Sequence, residues 1–109
     1  MPSRRGRGPV VLEITRLPQA EEDLIQIWRY IADDNEAAAD RLLDRIAGVV
    51  RKLSMHPEAG RLRPELVEGL RSFVIGNHVL FYKANASQLI LVRVLSRYLD
   101  IDEDDFRAD

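Results

Sequence analysis

The chain has no cysteine and only two histidines among its 109 residues. Without thiols there is no disulfide framework, no thiol nucleophile and no thiolate metal site. His56 and His78 stand far apart, so a histidine-based metal site lacks the short spacing that such sites use. No metal and no cofactor is expected. No stretch approaches the ~18 consecutive apolar residues of a membrane span. The basic start Ser3-Arg4-Arg5-Gly6-Arg7 is followed by too short an apolar run, Val10 to Leu12, to act as a signal peptide. The cytoplasm is the expected compartment.

What is present fits one ordinary globular domain with a single core, at 46% hydrophobic and 31% charged residues. The formal net charge of −2 hides an uneven distribution. Residues 9–44 carry three basic and nine acidic side chains, residues 45–97 carry nine basic and three acidic, and the tail from Asp100 sets six acids against Arg107. A basic second half favours an acidic partner, although a mixed solvated surface gives the same composition.

The chain centres on Leu70 to Tyr98. Leu70–Ile75, His78–Lys83 and Leu89–Leu95 are rich in β-branched and aromatic residues and are separated by Gly76-Asn77 and by the polar turn around Asn85 and Ser87. This is the pattern of a three-stranded antiparallel meander. Strict alternation in the third run places Ile90, Val92 and Val94 on one face and Leu89, Leu91, Arg93 and Leu95 on the other. Arg93 is its only charge, which suggests a sheet covered on one side and partly open on the other.

Upstream, residues 1–8 read as a flexible basic arm and Val10–Ile14 as a short first strand. Pro18 suits the first turn of a helix, and Glu21, Glu22 and Asp23 suit its positive end. Leu24, Ile27, Trp28 and Ile31 recur at helical spacing, so this helix is predicted to end near Ala32. Asn35 is an N-cap candidate for a second helix of about 18 residues, with Ala39, Leu42, Leu43, Ile46, Ala47, Val50 and Leu53 on its apolar face. The tight connection makes the two helices an antiparallel hairpin. His56-Pro57 ends the second helix, and Gly60, Arg61, Arg63 and Pro64 read as a connecting loop. The predicted fold is α+β: a strand, then a helical hairpin packed on one face of a sheet of about four strands that the meander completes. The domain spans residues 9–99, and residues 100–109 form an acidic tail that either folds back on the sheet or reaches a target.

Several segments carry a resemblance to one family. They are Ala20–Leu24 with Ile27–Ala32, His56-Pro57-Glu58-Ala59-Gly60, Gly69–Gly76 with Val79–Tyr82, and Val92–Leu95 followed by Ser96-Arg97. In this order they resemble the ParE branch of the RelE/ParE toxin superfamily, the toxin half of type II toxin–antitoxin pairs. The resemblance covers about residues 12–100. It implies a growth-inhibiting protein neutralised by a ParD-like acidic antitoxin, in a hetero-oligomer, with DNA gyrase as target and no catalysis of its own. The RelE branch, ribosome-dependent mRNA interferases, is the alternative.

Cleaving RNA through its 2′-hydroxyl needs a base, an acid and cations on the phosphate. RelE-type enzymes resemble this chain in fold but place two lysines on the strand that here reads Leu70-Arg71-Ser72. Where they carry an arginine, this chain has Val79. The remaining counterparts are Arg71 and Arg97, and His78 is the only group among them that titrates near neutrality. Arginine stabilises charge but serves poorly as a base. No catalytic residue is therefore assigned, and no sequence-specific nucleic-acid binding is expected. The candidates for antitoxin or target binding are Arg61, Arg63, Arg71, His78, Arg93, Arg97, Tyr98 and Trp28. Five of them have a plainer use: a solvated cation for Arg61, Arg63 and Arg71, a hydrogen-bonded strand residue for His78, and core packing for Trp28. An arginine inside an apolar strand, like Arg93, must find a partner or an open face.

Overall fold

The computed structural model describes residues 11–107; the basic arm, residues 1–8, and Val10 lie outside them. Strand β1 (Glu13–Arg16) leads into helix α1 (Pro18–Ala32) and helix α2 (Glu36–Met55). A single 3-10 turn, Pro57–Ala59, connects to β2 (Arg61–Leu62), and β3 (Arg71–Ile75), β4 (His78–Ala84) and β5 (Gln88–Ser96) follow. The sheet order is β1-β5-β4-β3-β2, with β1 parallel to β5 and the other pairs antiparallel.

The helix boundaries follow from local chemistry. Pro18 occupies the first turn of α1, where its missing N–H costs nothing. The Asn35 side chain accepts from the Ala38 N–H at 3.0 Å and so starts α2. Gly76, at φ +56°, takes the first position of the two-residue turn between β3 and β4, a left-handed conformation natural to glycine.

Three expectations are corrected. The sheet has five strands, because Arg61 and Leu62, read as loop, pair with Ser72 and Arg71. The first strand begins at Glu13, after Val11 and Leu12, although Leu12 is still buried against the helices. Strict alternation also fails in β5. Phe81 faces Arg93 while Tyr82 faces Leu91, leaving Val92 as an extra residue in a β-bulge. Leu89, Leu91 and Val94 therefore point together into the helix-side core, whereas Val92 and Leu95 point to the opposite face.

That opposite face is covered too. Leu66, Leu70, Val79, Phe81 and Leu95 form a second buried cluster, roofed by the segment before β3 and by Ile101 and Phe106 of the acidic tail. Phe106 meets Phe81 edge-on, with ring centroids 4.8 Å apart. The tail folds back on its own sheet.

Candidate functional site

The arginines nominated from sequence divide into those the fold uses and those it leaves available. Arg71 Nη1 donates to the carbonyls of Glu58, at 3.2 Å, and Gly60, at 2.7 Å. Beside it the Tyr82 hydroxyl donates to Pro57 O at 2.7 Å and accepts from the Gly60 N–H at 2.8 Å. Burial raises the Tyr82 pKa, so the phenol keeps its proton. Together the two side chains cradle His56-Pro57-Glu58-Ala59-Gly60, which gives this family-like stretch a structural use. Arg63 pairs with Glu65 at 2.8 Å, donates to Ser72 Oγ and lies over the Phe81 ring. That hydrogen bond from Arg63 holds the Glu65 carboxyl below its ordinary range.

Arg93 is held by a helix carboxylate. Its Nε and Nη2 donate to the two oxygens of Asp23 at 2.8 and 2.9 Å, and Nη1 donates to Asp105 O. Asp23 also accepts from the Val94 N–H at 3.0 Å. One helix carboxylate thus satisfies a backbone donor of β5 beyond the point where β1 ends, and it neutralises the arginine beside it. The Asp23 hydrogen bond raises the Arg93 pKa further. Trp28 is half-buried, and its Nε1–H donates to Asp40 Oδ1 at 2.8 Å, tying α1 to α2.

Of the residues that remain, His78, Arg97 and Tyr98 gather at one end of the molecule. Arg61 is exposed on β2, apart from the others. His78, Ser96, Tyr98 and Asn77 line one wall of a groove of about 600 Å³, and Gln26, Ile27, Tyr30 and Ile31 of α1 line the other. Tyr98 is held in place. Its hydroxyl donates to Asn77 Oδ1, its N–H donates to Ser96 Oγ, and the Arg97 guanidinium lies 5.7 Å from its ring centroid. Arg97 Nη1 donates to Gly76 O. The structure thus brings His78, Arg97 and Tyr98 together, keeps Arg63, Arg71 and Arg93 in internal contacts, and leaves Arg61 elsewhere. Sequence reasoning passed over Tyr30. Its signal was an aromatic residue one step off the apolar stripe of α1.

Burial lowers the His78 pKa below its usual 6.5. Protonation therefore favours the unfolded chain. Stability is fully present above pH 6.5 and declines as pH falls from there through the lower folded-state pKa. The urea midpoint should drop over this window, and His78→Gln should remove that component of the drop. An identical pH profile in the variant would show that His78 does not cause it.

Among the described residues no group of three or more His, Cys, Asp or Glu could hold a metal ion, and no helix is long and apolar enough to cross a membrane. The groove offers rings, apolar side chains and hydrogen-bonding groups, with the Arg97 guanidinium beside the Tyr98 ring, suited to gripping another molecule.

Comparisons with known proteins agree with this architecture. The family described as "ParE toxin of type II toxin-antitoxin system, parDE" matches residues 14–99. Toxin ParE3 of Caulobacter vibrioides is 28% identical over 89 residues, covering 81% of this chain and 89% of that one. Toxin RelE3 of the same organism is 28% identical over 78 residues, covering 71% and 85%. Two solved structures share the fold. The chromosomal ParDE toxin–antitoxin system of P. aeruginosa matches with a TM-score of 0.66 at 18% identity, over 79% of this chain and 96% of that one. The toxin–antitoxin complex RelBE2 of Mycobacterium tuberculosis matches with a TM-score of 0.57 at 21% identity, over 81% and 100%. With the family match running from β1 past the end of β5, the chain belongs to the ParE toxins of type II toxin–antitoxin systems, within the RelE/ParE superfamily.

Proposed function

We propose that this toxin acts in the cytoplasm by binding, with DNA gyrase as its target, and that a ParD-like acidic antitoxin neutralises it. The observation that carries the non-catalytic part is the use made of Arg71, which sits where the RelE-type strand would present a cation to RNA. Its Nη1 is engaged by Glu58 O and Gly60 O. Arg93 is likewise held by Asp23. His78 and Arg97 are left, a single titratable group beside a permanent cation, which is half of the acid–base set that 2′-hydroxyl attack requires. The antitoxin reading draws support from the basic balance of residues 45–97 and from the two structural relatives, which are toxin–antitoxin systems.

The purified chain should inhibit supercoiling by purified gyrase or trap cleaved DNA, and should leave mRNA intact on programmed ribosomes. Codon-dependent cuts in that mRNA would transfer the chain to the interferase reading, which the 28% identity to Toxin RelE3 keeps as the second choice. Normal supercoiling together with intact mRNA would refute the gyrase assignment alone.

A further inference from the structure

We infer that the sheet face turned away from the helices is a peptide-binding site, and that the chain closes it with its own C-terminal segment, residues 101–106, as a lid. The lid is an amphipathic clip. Ile101 and Phe106 pack on the buried cluster around Phe81, while Asp102, Glu103 and Asp104 are exposed. Its own carboxylates hold its shape: Asp102 Oδ1 accepts from the Asp104 N–H and Asp105 Oδ2 from the Asp102 N–H, both at 2.9 Å. Its ties to the body are few. Among the described residues one hydrogen bond joins the two, from Arg93 Nη1 to Asp105 O, beside the edge-on contact of Phe106 with Phe81. The other cover of this face, residues 63–70, runs from β2 into β3, so the sheet anchors it at both ends. Its Arg63 N–H also donates to Leu70 O at 2.8 Å, and its Leu66 and Leu70 are buried. A segment with few contacts and one anchored end opens at a fraction of the free energy that unfolds a sheet. The lid therefore leaves while the other cover stays.

What the lid occupies decides what can replace it. Opening bares an edge of Phe81 and frees Arg93 Nη1. The other Arg93 donors stay with Asp23, whose carboxylate cancels the charge. A phosphate backbone would meet a single N–H on a neutralised cation, which disfavours nucleic acid. A polypeptide fits, with an aromatic side chain on Phe81 and a backbone carbonyl on Arg93 Nη1. The lid displays that chemistry in place, so the guest repeats its pattern: an aliphatic residue, an acidic stretch as long as Asp102-Glu103-Asp104-Asp105, then an aromatic residue. Beside Phe106 an apolar hollow of about 310 Å³ continues between Leu17, Pro18 and Val92. A guest with further apolar side chains reaches into it, where the lid does not. That surplus is what displacement requires, because a lid tethered to β5 by residues 97–100 has an effective concentration of roughly millimolar.

The test is a chemical-shift titration of the full chain with a synthetic peptide of residues 100–107. The parent should show no binding at roughly millimolar peptide, because its own lid holds the site. Phe106→Ala, which leaves the Arg93–Asp23 pair in place, should bind the peptide at least about tenfold more tightly, with shifts at Phe81, Val92 and Arg93. The same peptide with alanine for its phenylalanine should not bind that variant. In the parent alone, the amides of Asp105 and Arg107 should exchange with solvent at least about tenfold faster than those of Leu66 and Leu70. Unmoved signals in Phe106→Ala under excess peptide would overturn the site, and equal exchange in the two covers would overturn the lid. A concentration-dependent dimer of the parent that Phe106→Ala abolishes would give the contact to a second copy, and the lid would fall with it.

Discussion

Replacing Asp23 by alanine is expected to destabilise the fold by about 3–5 kcal/mol, because it strands a buried charge. The side chains of Asp23 and Arg93 are only 12% and 17% exposed, so little water is at hand to replace the lost carboxylate. Two guanidinium nitrogens and the Val94 N–H lose their acceptor in one step. The effect should spread to the C-terminal turn, since Arg93 also holds Asp105 O. Asp23→Asn should cost less, as its amide oxygen can still accept from Val94. The double variant Asp23→Leu with Arg93→Met removes both charges and should recover much of the loss, since a well-packed apolar pair often replaces a buried ion pair without penalty. Denaturant unfolding reads all three. A loss under about 1 kcal/mol in Asp23→Ala would mean that water reaches the site and that the pair contributes little.

The same pair shows where sequence reasoning runs out. An arginine in an apolar strand demanded a partner or an open face, and that demand was legible. The partner's identity was not, because Asp23 lies 70 positions earlier and sits in an acidic run that the helix dipole already explains. Local signals carried the rest of the helical layer: Pro18, Asn35 and the apolar stripes of α1 and α2 set boundaries that depend only on neighbouring residues. The hairpin at Gly76-Asn77 was legible for the same reason. The bulge at Val92 was not, since it is a property of how β5 registers on β4 and leaves no mark in β5 itself. Strand β2 is two residues long, too short for any periodicity to appear. At the candidate site, sequence chemistry nominated cations but could not tell which ones the fold would engage internally. Arg71 and Arg97 look alike in sequence. They part in the fold: Arg71 is half-buried against Glu58 O and Gly60 O, whereas Arg97 is exposed with one donor on Gly76 O.

The turn at Gly60 is itself sensitive to one atom. Gly60→Ala is expected to destabilise the protein by about 3 kcal/mol, combining overpacking with the loss of buried hydrogen bonds. An alanine Cβ would lie 2.4 Å from Tyr82 Oη, 2.7 Å from Cε1 and 2.8 Å from Cζ. Backbone strain is not the cause, because Gly60 sits at φ −77° and ψ 155°, an extended conformation open to any residue. Tyr82 is fully buried and cannot swing aside, so the turn must move instead. Moving it breaks the Gly60 N–H and Pro57 O bonds to the phenol and pulls Gly60 O from Arg71. Tyr82→Phe alone should cost about 1–3 kcal/mol, through the two polar groups it leaves unpaired. It should not rescue Gly60→Ala, because the ring carbons that crowd the Cβ remain. Unfolding midpoints of the two single variants and the double therefore discriminate between causes. A double variant more stable than Gly60→Ala would place the conflict at the hydroxyl alone, whereas a parental midpoint in Gly60→Ala would show that this turn yields freely and that Tyr82 and Arg71 do not fix it.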